Sequence, residues 1–122
     1  MRRQTRRCAA AATAMIFASI AGVATAGEYA PLNCNKARSP AERTICDSYS
    51  LGQSEARMAT LFAIATSFVA MGQRGDIQDT QRQWLIARDA CGNNTGCLSA
   101  AYDRRISALE KVIATIASRG PY

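Results

Sequence analysis

The chain is constrained most by four cysteines: Cys34, Cys46, Cys91 and Cys97. A fifth cysteine, Cys8, lies in the N-terminal segment, so removal of that segment would make the count even. An even number of cysteines in a short exported chain is typical of a disulfide-bonded domain in an oxidising compartment. We therefore expect two disulfide bonds.

The first 26 residues have the pattern of a cleaved secretion signal. Four arginines lie within the first seven residues, an uncharged apolar run follows over 8–23, and Ala24-Thr25-Ala26 provides the small-x-small cleavage pattern. Cys8 stands at the start of the apolar run instead of after it, so it is not the acylated cysteine of a lipoprotein. We predict a signal peptide over 1–26 and a single mature domain over 27–122, exported to the periplasm or secreted, with no membrane anchor after cleavage.

The basic residues of the signal dominate the net charge. Four of the 15 basic residues and none of the nine acidic ones lie in it, so residues 27–122 have 11 basic and nine acidic side chains and a net charge of +2. Nucleic-acid binding requires clustered Lys and Arg, and no nucleic-acid partner is expected. A domain of this size has a modest core that disulfides commonly supplement.

Capping signals place the first two helices. Ser39, Pro40 and Glu42 form a capping box with proline at the first helical position, so a short helix begins there and ends near residue 48. A second capping box, at residues 50–53 with Ser50 as N-cap, opens a longer helix that we expect to end at Met71.

Two further helices complete a predicted all-α bundle. Residues 72–75 are interpreted as a turn, Asp76 caps a third helix that runs to Ala90, and a polar break precedes a fourth helix over about 97–118. The fourth helix has an apolar stripe at steps of three and four residues. The expected fold is a small disulfide-stapled bundle of about four helices, in which the third and fourth form an antiparallel hairpin.

The second predicted helix is apolar on both flanks and has no charged residue from Met58 to Gly72. A helix that is apolar on nearly all sides is normally buried. It is therefore either the central helix of the bundle or a partly exposed helix at the interface with a partner or a second copy of the chain.

Two local disulfides fit this helix layout. Cys34 and Cys46 bracket the first capping box, and Cys91 and Cys97 bracket the break between the third and fourth helices. Four cysteines allow three pairings, and the sequence does not choose among them. A metal site is not expected, because the chain has no histidine and no Cys-x-x-Cys pair.

One face of the third helix is expected to point inward. Gln81, Trp84, Arg88 and Cys91 follow at steps of three, four and three residues, so they share a face that includes the hairpin cysteine. Trp84 would be a core or boundary aromatic.

A guanidinium on that inward face needs an acidic partner. Glu42 and Glu55 are the acids available on the preceding helices, and we predict a pair between Arg88 and Glu42.

Four other charged side chains of the third and fourth helices are expected on solvated faces. They are Asp89, Arg104, Arg105 and Lys111. The alternative for Arg105 is a recognition surface that it forms with Tyr102 beside the polar loop Asn93-Asn94-Thr95.

No enzymatic activity and no cofactor are expected. The commonest general base is missing because the chain has no histidine, the cysteines are expected to be oxidised, and no serine lies in a nucleophile motif.

The cysteine spacing and the third-helix motif together resemble the LprI-type lysozyme-inhibitor family of small secreted bacterial domains. The similar pattern is a cysteine, Ser-Pro-x-Glu, a second cysteine, a Leu-rich helix, Gln-x-x-Trp-Leu-x-x-Arg-Asp-x-Cys, Cys-Leu and Tyr-x-x-Arg-Ile-x-x-Leu, and it extends from Cys34 to about Leu109. Glu55 and Phe62 stand where that family usually has Asp and Tyr. Besides the cysteines, the residues that match the motif are Glu42, Gln81, Trp84, Arg88, Asp89, Tyr102 and Arg105.

The resemblance implies a non-enzymatic binding protein that inhibits a lysozyme by occluding its active site. The alternative is a periplasmic structural or envelope-stress module of the same fold that does not bind lysozyme and forms a homodimer.

Overall fold

The structure is a computed structural model that describes residues 29–120, so the predicted signal peptide and Cys8 lie outside the described residues. A short 3-10 helix at Cys34–Lys36 precedes four α-helices, and residues 29–120 contain no strand. The predicted all-α fold of four helices is confirmed. The helices are α1 (Pro40–Asp47), α2 (Tyr49–Ser67), α3 (Met71–Asp89) and α4 (Thr95–Ala117).

The capping box of α1 forms as predicted. The Ser39 hydroxyl accepts a hydrogen bond from the Glu42 amide at 3.0 Å, and the Glu42 carboxylate accepts from the Ser39 amide at 3.1 Å and the Arg38 amide at 2.7 Å. These two backbone hydrogen bonds lower the pKa of Glu42. The box orients α1 so that Ala41 and Ile45 enter the core.

The predicted N-cap of α2 is wrong by two residues. Ser48 caps the helix by accepting from the Leu51 amide at 3.4 Å, whereas Ser50 already lies in the first turn of α2. Only Ser48 separates α1 from α2, and its extended backbone provides the cap geometry. This tight connection places both Ile45 and Leu51 in the core.

The predicted boundary between the second and third helices is also wrong. α2 ends at Ser67, and residues 72–75, which the sequence predicted to be a turn, belong to α3, so Asp76 is not its cap. The physical reason is contact between residues of different helices. The Arg74 side chain donates from Nε to the carbonyl of Thr66 at 2.8 Å, and Ile77 is buried, which fixes the first turns of α3 against the end of α2.

A short turn joins the end of α3 at Asp89 to the start of α4 at Thr95. Gly92 has a φ of +56°, in the left-handed region that glycine adopts without strain. Asn94 then caps α4 by accepting from the Cys97 amide at 2.9 Å. The predicted apolar stripe of α4 is confirmed, with Leu98 and Leu109 both fully buried.

Contacts along α3 define the relative directions of the helices. Arg88 lies near Glu55 while Arg74 reaches Thr66, so α3 runs antiparallel to α2. The Trp84 indole donates to the carbonyl of Ala101, so α3 and α4 form the expected hairpin, and α4 is parallel to α2. α2 and α4 pack most closely. The shared core comprises Ala41, Ile45, Leu51, Met58, Phe62, Ala65, Ile77, Leu98, Tyr102, Ile106 and Leu109.

The two alternatives for the apolar second helix each describe part of it. Met58 and Phe62 are buried at the centre of the bundle, whereas Ile64 and Phe68, near its C-terminal end, are exposed. The predicted end of that helix, Met71, lies in α3 and is also exposed.

Both disulfides join neighbouring cysteines in the sequence. Cys34 bonds Cys46 with a Cα–Cα distance of 5.7 Å, and Cys91 bonds Cys97 with a Cα–Cα distance of 5.6 Å. Of the three possible pairings, this is the one that fits the predicted helix layout. Two disulfides indicate an oxidising, extracellular type of environment. In the part of the chain that the structure describes, no helix has the length and hydropathy needed to cross a membrane.

The N-cap of α2 can be tested with a matched pair of serine substitutions. We expect Ser48→Ala to lower the free energy of unfolding by about 1 kcal/mol, because it removes the acceptor for the Leu51 amide. Ser50→Ala should change it by less than about half that amount, since Ser50 is an exposed first-turn residue. Urea denaturation followed by circular dichroism measures both values, and a larger loss in Ser50→Ala would contradict the observed cap.

Candidate functional site

The centre of the bundle contains one buried carboxylate, that of Glu55, which is 6% exposed. The Tyr102 hydroxyl donates to its Oε2 at 2.7 Å. Its Oε1 accepts from the Leu32 amide at 3.0 Å and from the Tyr29 hydroxyl. Glu55 therefore joins α2 to α4 and to the segment that precedes the first disulfide.

Arg88 supplies the positive charge of this network. It is 3% exposed, and its guanidinium lies 3.8 Å from the Glu55 carboxylate. Nε and Nη2 donate to one oxygen of Asp89 at 2.9 and 2.7 Å. The guanidinium carbon also lies 5.7 Å from the centre of the Trp84 ring, within cation–π range.

The predicted pair between Arg88 and Glu42 is wrong. The carboxylates that pair with Arg88 in residues 29–120 are Glu55 and Asp89. Glu42 instead uses its carboxylate to cap α1. Burial alone would lower the pKa of Arg88, but the hydrogen bond to Asp89 and the charge of Glu55 raise it.

Arg105 is buried as well, which corrects its expected place on a solvated face. It is 8% exposed and donates to Gln81 Oε1 at 2.7 Å, to Thr80 Oγ1 at 3.3 Å and to the Ile77 carbonyl at 3.2 Å. All three acceptors are neutral and belong to α3, so Arg105 joins α4 to α3. Burial lowers its pKa.

The alternative of a recognition surface built from Tyr102 and Arg105 is also wrong. Tyr102 is completely buried, and its ring packs edge-on against Trp84 at a centroid distance of 5.2 Å. Neither side chain is available to a partner.

The inward face of α3 is confirmed. Gln81 is buried between Met58 and Arg105, with its amide nitrogen 3.2 Å from the Met58 sulfur. Trp84 is a boundary aromatic, half-buried and hydrogen-bonded to the Ala101 carbonyl at 3.0 Å. These motif residues bind one another, so their role is to position helices.

Two surface features lie beside this network at the end of the bundle where α3 meets α4. One is the loop Asn93-Asn94-Thr95, whose three residues are exposed and which the Cys91–Cys97 disulfide closes. The other is a groove of about 340 Å³ between α1, α3 and the N-terminal segment. The groove is lined by Tyr29, Ala30, Leu32, Glu42, Leu85, Arg88 and Asp89.

The groove has a local excess of negative charge. Arg88 is its positive side chain, and Glu42 and Asp89 are its two acids, with Glu55 behind Arg88. A groove of this kind can accept a cationic side chain of a partner protein through charge-assisted hydrogen bonds. In residues 29–120, no three potential ligand side chains form a group that could hold a metal ion.

Glu55 was not predicted to be the partner of Arg88 or a site residue, although its position in the sequence carries a signal. Leu51, Glu55, Met58 and Phe62 follow at steps of four, three and four, so Glu55 lies on the buried stripe of α2. An acid in the middle of such a stripe indicates a buried partner. Tyr29 had no comparable signal, because its contact depends on how the N-terminal segment folds back.

Comparisons with known proteins give no further assignment. No family model, no curated protein and no solved structure matches this chain.

The importance of the buried carboxylate can be tested by comparing two Glu→Gln substitutions. Glu55→Gln should lower the free energy of unfolding by about 2 to 4 kcal/mol, because it removes the charge near Arg88 and brings an amide donor to the Tyr102 or Tyr29 hydroxyl. Glu110→Gln, at an exposed ion pair with Arg57, should cost at most about 1 kcal/mol. Equal losses in chemical denaturation would contradict a central role for Glu55.

The buried tyrosines predict a loss of stability at alkaline pH. Burial, and next the charge of Glu55, raise the pKa of Tyr29 and of Tyr102 above the ordinary value. Their contribution is therefore complete below the unfolded-state pKa of about 10 and is lost as the pH rises from there towards the folded-state pKa.

We expect the free energy of unfolding to fall as the pH rises above about 10, and to fall less steeply in Tyr102→Phe. Urea denaturation at a series of pH values measures both slopes. Identical slopes in the wild type and the variant would show that Tyr102 does not contribute.

Proposed function

We propose that this chain is an exported, non-enzymatic binding protein of the LprI type, located in the periplasm or secreted, which inhibits a lysozyme by occluding its active-site cleft. The observation on which the proposal rests is the exposed loop at the α3–α4 turn, held between a disulfide and a helix cap. No part of the proposed activity requires a reaction.

The interlocking of the motif residues supports membership of that type. Gln81, Trp84, Arg88, Tyr102 and Arg105 are five of the residues that match the family pattern, and all of them contact one another or Glu55. These five residues are expected to define the scaffold, so that the target is contacted by other side chains.

The loop Asn93-Asn94-Thr95 is suited to enter a cleft because its conformation is set before binding. The disulfide closes a short loop around it, and the Asn94 side chain is engaged in capping α4. Rigid loops lose little conformational entropy on binding. Asn93 and Thr95 would then donate hydrogen bonds to the carboxylates with which lysozymes cleave glycosidic bonds.

The acidic groove provides a local attraction for a basic lysozyme that the net charge of the chain does not provide. Lysozymes of animal hosts are mostly basic, and a net charge of +2 over residues 27–122 gives no general attraction. Asp89 lies immediately before the turn, so the groove with Glu42 and Asp89 adjoins the loop. This local negative charge would attract basic side chains around the lysozyme cleft.

A lysis assay tests the proposal directly. The exported protein, titrated against a c-type lysozyme acting on bacterial cell walls, should slow lysis, and the double substitution Asn93→Ala with Thr95→Ala should weaken inhibition by about tenfold or more, since both side chains are expected at the centre of the interface. Gln83→Ala is the matched control, because Gln83 is exposed on α3 away from the loop.

Two results would contradict the proposal. The first is no inhibition at micromolar excess of the folded, disulfide-bonded protein. The second is equal inhibition by the wild type and the loop variant. Absence of inhibition together with a dimer in analytical ultracentrifugation would favour the alternative, a structural envelope module.

A further inference from the structure

The end of the bundle opposite the loop has exposed apolar side chains. Phe68 is 61% exposed and Met71 82% exposed, and Ile64 lies beside them one helical turn earlier on α2. We call these three residues the apolar tip. Contiguous exposed apolar side chains in a small protein generally mark an interaction surface.

The ends of three helices are directed towards the end of the bundle that carries the apolar tip. α2 ends at Ser67 and α3 begins at Met71. The position of α4 along the bundle axis follows from the ion pair between Arg57 of α2 and Glu110 of α4. α2 continues about 15 Å beyond that pair and the parallel α4 about 10 Å, at 1.5 Å per residue. Along the bundle axis, the C-terminal end of α4 therefore lies within about one helical turn of the end of α2.

Two stretches of the chain that reach this end of the molecule have no charged residue, and basic residues flank them. No charged residue occurs over residues 58–73 or 112–118. The nearest charged residues in sequence after these stretches are Arg74 and Arg119, and Lys111 precedes the second stretch. Arg74 is held at this end because its Nε donates to the Thr66 carbonyl. The first carboxylate in α3, that of Asp76, comes more than a turn after Met71.

We propose that this end of the bundle docks peripherally onto the surface of an anionic phospholipid bilayer. Phe68 and Met71 enter the region between the headgroups and the acyl chains, and Arg74 and Arg119 lie at the level of the phosphates. A few apolar side chains combined with nearby basic residues are the two elements of reversible membrane-surface binding.

The small area and the charge of the tip favour a lipid surface over a second copy of the chain. A stable protein interface buries about 800 Å² on each partner, which three exposed side chains do not supply. A second copy would also bring its own arginines against those of the first, whereas anionic headgroups complement them.

This orientation has a consequence for the opposite end. Because α3 runs from the apolar tip to the α3–α4 turn, a molecule docked by its tip directs the loop Asn93-Asn94-Thr95 away from the membrane. The docking surface and the loop are therefore independent of each other.

Vesicle cosedimentation tests the docking surface. The exported protein, with its N-terminus verified by mass spectrometry, is mixed with vesicles of phosphatidylcholine alone or with added phosphatidylglycerol. We expect binding to the phosphatidylglycerol vesicles that weakens with salt, and a decrease of about tenfold or more in the partition coefficient of the Phe68→Ser, Met71→Ser double variant. Ile86→Ser is the matched control, because Ile86 is 74% exposed on α3 away from the tip, and it should bind as the wild type does.

Three results would overturn the proposal. These are equal binding of the wild type and the folded tip variant, equal binding to the two kinds of vesicle, and absence of binding in the wild type. A wild-type dimer that dissociates on substitution of Phe68 and Met71 would assign the tip to a second copy instead. Circular dichroism of each variant verifies that the bundle is intact, which is expected because both side chains are exposed.

Discussion

The fold depends on the way in which one buried carboxylate is neutralised. Glu55 lies in the N-terminal half of α2, and three parts of the chain place a donor or a positive charge beside it. They are the N-terminal segment with the Tyr29 hydroxyl and the Leu32 amide, α3 with Arg88, and α4 with Tyr102. Burial of an acid without partners would be strongly unfavourable. The same contacts therefore remove that cost and specify which helix faces meet.

A second set of buried polar contacts also joins helices, but it contains no carboxylate. Arg105 of α4 enters the interior and is accepted by Gln81, Thr80 and a backbone carbonyl of α3. Gln81 in turn contacts Met58 of α2, so the polar contacts connect all three long helices. A domain of this size has few apolar side chains to bury, and directional contacts of this kind define one packing among the several that an apolar core alone would permit.

The two ends of the bundle differ because the helices direct different residues to each. At one end, the Cys91–Cys97 disulfide and the Asn94 cap hold a polar loop beside an acidic groove. At the other end, a short apolar segment connects α2 to α3, and Phe68 and Met71 are exposed there. The first end provides the surface for the proposed inhibition of lysozyme, and the second for the proposed membrane docking. Neither surface uses the buried motif residues Gln81, Tyr102 and Arg105, whose side chains make their contacts inside the bundle.

The sequence by itself determined those features that depend on neighbouring residues. The capping box at Ser39, the apolar stripe of α4 and the proximity of the paired cysteines are local, since each involves residues within a few turns of one another. The tertiary structure decided whatever depends on distant contacts. Glycines at 72 and 75 indicate a turn locally, yet Arg74 and Ile77 secure those residues in α3 through contacts with the rest of the bundle. Likewise, Arg88 has two acids within reach of its helix face, and only the packing of α3 against α2 selects Glu55 over Glu42. A guanidinium is neutralised by whichever carboxylate the packed helices bring to it, and that distance is not encoded in any local stretch of the chain.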